Sequence, residues 1–151
     1  MNELSRITPV AEDYESCAEC YVKLVIYAGN EHPDTVTLLM QVKPTHINIE
    51  GDEVKNSRGL IRRIKSSSWI LSSENMIQSK DLRDHIDWLV NEIFPSRKSL
   101  KQVQAIEGIK MTVKCVWFSL LGHSGPVLWP EQMRALADLD LECSFDIYFV
   151  G

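Results

Sequence analysis

Near its middle the chain passes from strict alternation to a helical stripe. Residues 66–73 alternate, with Trp69 and Leu71 on one side, and predict a strand. Ser79 stands where a helix N-cap belongs and Asp81 suits the first turn. Leu82, His85, Ile86, Leu89, Val90, Ile93 and Phe94 then recur at helical spacing, and Pro95 follows as a stop, which predicts a helix over 79–94. The same two periods divide the remainder. Residues 21–27 alternate, with Val22, Leu24 and Ile26 together. Gly29-Asn30 breaks the run, and Pro33 opens a short helix carrying Val36, Leu39 and Met40 that stops before Pro44. Residues 45–50 form a second strand with Ile47 and Ile49 aligned, ended by Gly51-Asp52. Leu100, Val103 and Ile106 mark a further short helix closed by Gly108. Residues 109–120 give the longest expected strand, with Ile109, Met111, Val113, Cys115 and Trp117 in step. Pro130 starts a helix carrying Met133, Leu136, Ala137 and Leu139. The last strand covers 141–149, with Leu141, Cys143, Phe145, Ile147 and Phe149 expected to face the core.

The order is strand, helix, strand, strand, helix, short helix, strand, helix, strand. Strand, Pro-started helix, strand occurs at both ends, a repeat of pattern and not of residues. This predicts an α+β fold: a mainly antiparallel sheet with helices on one face, in a ferredoxin-like or doubled ferredoxin-like arrangement. Residues 1–19 are polar and acidic without a clear period and read as a poorly packed lead-in; residues 20–151 read as a single domain. A length of 151 residues, 44% of them hydrophobic, supports one real core. The net charge of -5 argues against nucleic acid as main ligand. No apolar run reaches the roughly 20 residues of a membrane span, and no signal pattern opens the chain. A cytoplasmic protein with no membrane and no nucleic-acid partner is the expectation.

Several pieces together carry a likeness. They are the first strand followed by His32-Pro33-Asp34, then Pro44-Thr45, then Trp69-Ile70-Leu71-Ser72-Ser73, then Ser79-Lys80-Asp81-Leu82 with Trp88-Leu89. At the C-terminal end they continue with Ala135-Leu136-Ala137 and Phe145-Asp146-Ile147-Tyr148. In these the chain resembles the bacterial domain of unknown function 4279 family, over residues 21–149. The resemblance implies a small bacterial cytosolic protein. It implies no established activity and transfers no catalytic residues. His32 and Trp129 stand where that family has acidic or polar helix caps, which is expected to weaken both helix starts.

Chemistry is sparse in the sequence. His32, His46, His85 and His123 are scattered and show no ligand spacing, so no metal and no cofactor are expected. His85 reads as a satisfied core or boundary histidine. No serine sits in a nucleophile-elbow context, and no catalytic residue is assigned; an enzyme is the less favoured class. Cys17 and Cys20 have CxxC spacing, but Cys115 and Cys143 are isolated, so the spacing reads as adventitious. Residues 51–65 carry Arg58, Arg62, Arg63 and Lys65. They read as a solvated loop or edge hairpin, with a phosphate or acidic-partner site as the sharper alternative. Once the apolar strand faces meet the helices, the opposite face collects aromatics and both signs of charge. Its candidate binding residues are Tyr27, His46, Lys114, Glu142, Asp146 and Tyr148. The expected function is a non-enzymatic binding protein with a protein partner or a second copy of itself; an immunity-type protein that blocks a toxin domain is its most concrete form. The alternatives are a small enzyme on the open face near His46, which needs the strands of His46 and Glu142 or Asp146 adjacent, and a self-associating structural domain.

Overall fold

The computed structural model describes residues 5–151; Met1 to Leu4, the start of the expected lead-in, lie outside the described residues. The strands are β1 (Cys17–Tyr27), β2 (His46–Asn48), β3 (Glu53–Lys55), β4 (Ile61–Arg63), β5 (Ser68–Ser72), β6 (Lys110–Ser119) and β7 (Cys143–Phe149). The helices are α1 (Pro33–Met40), α2 (Leu82–Ile93), α3 (Arg97–Gln104) and α4 (Pro130–Asp138), with a 3-10 turn at Phe94–Ser96 between α2 and α3. Five strands form one sheet in the order β2-β5-β1-β6-β7, and β3 and β4 form a separate hairpin. From β2 to β6 every neighbour is antiparallel. That order and sense are those of a single ferredoxin-like core, with β3 and β4 inserted between its second and third strands. The chain then crosses through α4 to add β7 parallel to β6. The strand–helix–strand pattern at the two ends therefore has two outcomes: β5 enters between β1 and β2, whereas β6 and β7 are direct neighbours.

One cluster forms the core. Val22, Leu24 and Ile26 of β1 join Trp69 and Leu71 of β5 and Val113, Cys115 and Trp117 of β6. Helices cover them with Val36 and Met40, Leu82, Ile86, Leu89 and Ile93, Leu100 and Val103, and Leu136. The face holding these residues is the helix-covered face. No helix among the described residues is long and apolar enough to cross a membrane.

Several local expectations are corrected. Helix α2 is capped by Asp81, not Ser79: the Asp81 carboxylate accepts from Arg83 N at 3.0 Å. Ser79 instead accepts from Asp81 N at 3.0 Å and donates to Asp84 at 2.5 Å. The first helix ends on Gln41, whose left-handed φ of 57° closes it before Pro44 is reached. Strand β1 has 11 residues and β6 has 10, because β1 begins at Cys17 and absorbs a bulge between Cys17 and Glu19. Neither helix start is bare. His32 Nδ1 accepts from Asp34 N at 3.0 Å, and the Gln132 side-chain oxygen accepts from Trp129 N at 2.9 Å.

The described part of the lead-in, from residue 5, is fastened at several points, contrary to expectation. Arg83 is fully buried, pairs with Asp81 at 2.7 Å and donates to the carbonyls of Thr8 at 2.6 Å and Pro9 at 3.1 Å. Its guanidinium lies 4.8 Å from the Trp129 ring, which also receives Arg6 at 4.5 Å. Ala11 N donates to Asp81 at 3.1 Å, and Tyr14 meets Trp117 edge-on at 5.6 Å. A polar segment without a period is thus fastened by buried charge and ring contacts, which hydrophobic patterning does not register.

Candidate binding face

The helix-free face of the sheet is built by the residues that alternate with the core set. Register fixes its rows. Lys23 of β1 lies opposite Lys114 of β6, which in turn lies opposite Ser144 of β7. Tyr21 is level with Val116 and Asp146, and Phe118 with Tyr148. Toward the other end, Tyr27 is level with Lys110 and Ser68, and Ser68 with Asn48.

The six candidates separate into three places. Tyr27 and Lys114 line a cleft of about 680 Å³ between the β3–β4 hairpin and the sheet. Asp146 and Tyr148 sit on β7, where Tyr148 stacks on Phe118 at 5.2 Å and is 51% exposed. Glu142 precedes β7; its carbonyl accepts from Val113 N at 2.9 Å and its side chain is exposed. His46 lies on β2, the opposite edge, where its Nε2 is 2.9 Å from Asn48 Oδ1. Four interstrand steps of about 4.8 Å put β2 roughly 19 Å from β7. Pairing of His46 with Glu142 or Asp146, the basis of the enzymatic alternative, is therefore not formed.

The face is electrically divided. Around Tyr21 it is acidic: partial burial, then Glu74, Glu19, Tyr148 and Asp146, push the Tyr21 phenol up from its usual pKa. Around Lys23 and Lys114 it is basic. The hairpin adds Arg62, Arg63 and Lys65 to the same cleft, residues that the charge run at 58–65 announced without locating. Asn56 builds the hairpin turn by accepting from Arg58 N at 2.9 Å and Leu60 N at 3.0 Å.

Strand β7 departs from expectation on the other face. Phe145 lies level with Cys115 and Ile147 with Trp117, so both point to the helix-covered side. Yet Phe145, Ile147 and Phe149 are 45%, 56% and 58% exposed. The three share one side, as their alternation requires, but not the core expected for them, because the helix layer stops short of this edge strand. Leu120, Leu121 and Val150 are exposed beside them.

A family model described as Domain of unknown function (DUF4279) matches residues 18–150. The chain belongs to that family. No curated protein and no solved structure matches it. The DUF4279 match opens inside β1 and closes one residue after β7, so the cleft and the β7 edge both lie within it. The fastened segment before Cys17 lies outside the DUF4279 match.

The thiols make two pairs. Cys115 and Cys143 Sγ atoms are 3.3 Å apart, and the hydrogen bond with Cys143 together with burial pushes the Cys115 thiol up. The hydrogen bond with Cys17, then burial, does the same to Cys20. All four are free cysteines. Among the described residues no group of three or more His, Cys, Asp or Glu is placed to hold a metal ion.

Proposed function

We propose that this chain is a non-enzymatic binding protein that meets a protein partner through β7 and the adjoining acidic end of the helix-free face. The observation that carries this reading is an edge strand with exposed apolar side chains on both of its faces: Phe145, Ile147 and Phe149 on one, Tyr148 over Phe118 on the other. An edge strand also offers unpaired backbone donors and acceptors, and proteins normally blunt such an edge with charge, proline or a covering element. Here Asp146 is the only charged residue in the strand. Contiguous apolar surface of this kind marks an interaction site. The most concrete form of the reading is an immunity-type protein that covers a toxin domain, in which Glu19, Glu74 and Asp146 would meet a basic patch and set orientation. The cytoplasm is the compartment that goes with this role.

Self-association is the second reading, favoured by the sequence of β7 itself. Two copies paired antiparallel about Ile147 would set Phe145 against Phe149 and Asp146 against Tyr148. A register centred on Asp146 would oppose two carboxylates, which disfavours it. The test is sedimentation of the wild type, Ile147→Lys and Tyr148→Ala, alone and with the product of the adjacent gene. Association lost in the variants at unchanged unfolding midpoint supports the reading, and the mixture distinguishes partner from self. Association equal in all three chains refutes it.

A further inference from the structure

The sheet places two lysines directly opposite one another. Lys23 and Lys114 are cross-strand partners on the helix-free face, and like charges so placed repel. Neither is within ion-pair reach of an acid among the described residues, where four arginine–carboxylate ion pairs form elsewhere. The hairpin then leans three more cations, Arg62, Arg63 and Lys65, over the same cleft. Among the described residues no Asp or Glu lines it, and of its cations Arg63 alone is shared, with Glu53 at 3.2 Å. A chain with an excess of acid, net -5, has thus gathered five cations around one opening.

Beside the cations the lining is suited to an organic body. Val25 is buried, Ile64 and Ile70 add apolar wall, and Tyr27, Asn48 and Ser68 offer hydrogen bonds. The volume of about 680 Å³ falls in the range of small-molecule sites. The basic zone is also bounded, because Glu19, Glu74 and Asp146 surround Tyr21 further along the face. A long polyanion would have to run over that acid.

We propose that the cleft between the β3–β4 hairpin and β1, β5 and β6 binds a compact organic anion bearing two or more phosphate or carboxylate charges. Lys23 and Lys114 hold the charge at the floor, and Arg62, Arg63 and Lys65 close over it. The anion relieves the repulsion between the two lysines. This deepens the binding reading by giving a ligand class to another part of the same face. It stands apart experimentally, since Tyr148→Ala leaves the cleft intact.

The experiment is calorimetric titration of the full chain with pyrophosphate and with citrate, in wild type and in the Lys23→Gln, Lys114→Gln double variant. Thermal unfolding is followed in parallel. At least one probe is expected to bind, and which one identifies phosphate or carboxylate as the source. The double variant is expected to lose about 10-fold or more in affinity, the effect of a single lost charge-assisted contact or greater. Its unliganded melting midpoint is expected to equal or exceed that of wild type, because repulsion is removed. A probe that binds both chains equally, or a lower midpoint in the double variant, overturns the assignment. So does silence from both probes, and so does tighter binding of an oligo-dT strand or an oligoglutamate peptide than of either small anion.

Discussion

His85 is a core side chain whose burial disfavours its protonated form. It is 1% exposed, with Nδ1 2.6 Å from Ser73 Oγ and Nε2 2.6 Å from the Ser79 carbonyl. The carbonyl can only accept, so the network assigns the proton to Nε2 and leaves Nδ1 to accept from Ser73. Burial pushes the imidazole below its usual 6.5, although the Ser79 contact and the acids Asp84 and Asp81 pull the other way. A histidine whose folded pKa is depressed contributes stability that is full above the unfolded pKa and declines as pH falls through it toward the folded value. Urea midpoints measured at about pH 7.5 and about pH 5.5 should therefore drop more for wild type than for His85→Gln. Equal drops would remove His85 as the cause. Asp81 titrates lower and does not enter this window. Burial raises its pKa, but its bonds from Arg83 and Ala11 outweigh that and leave it below 3.8, so its contribution is lost only at more acid pH. Arg83→Met should cost ~3–5 kcal/mol, because it strands the buried Asp81 charge. Limited proteolysis should then open residues 5–16, which the wild-type guanidinium holds through Thr8 and Pro9.

At the scale of elements, periodicity located the strands and helices but not what stands over them. Helix α2 is the clearest success: Leu82, His85, Ile86, Leu89 and Ile93 are buried as the stripe required and the exposed Asn91 lies off it, although Phe94, expected on the stripe, is exposed in the 3-10 turn that follows. Leu89→Ala should cost ~2–5 kcal/mol and Asn91→Ala under about 0.5 kcal/mol in denaturant midpoints. Similar values for the two would displace the core from α2. Strand β7 is the instructive failure. A period of two assigns Phe145, Ile147 and Phe149 to one side, yet it carries no information on whether a helix reaches that far. Strand order decided it: β7 is an edge, so the residues that looked most like core became surface. The hairpin was legible as a charged run at 51–65 that fits a loop or an edge hairpin, but its lean over the sheet is tertiary and was not. Nor was the opposition of Lys23 and Lys114, which exists only once β1 and β6 pair in this register.

At the scale of the whole molecule, the described residues form a five-stranded sheet with β2 and β7 at its two edges. Among the described residues helices α1 to α4 cover one face around one core cluster; the other face divides into a basic cleft under the hairpin and an acidic, aromatic end that runs out to β7. The candidate face was legible because alternation fixes which residues share it. Its division was not, because Tyr27 and Lys114 are separated from Asp146 and Tyr148 by register and strand order rather than by sequence distance. In the function proposed above, a protein, whether a partner or a second copy, binds at the β7 edge and not on the helix layer. Amide hydrogen exchange tests it without altering the chain. The protein is measured dilute, concentrated, and mixed with the product of the adjacent gene. The amides of β7 that face away from β6 should exchange fast in dilute protein and slow markedly in at least one of the other two conditions, with α1 to α4 unchanged. Protection that appears on the helices while β7 still exchanges fast, or no change in β7 under any condition, would contradict it.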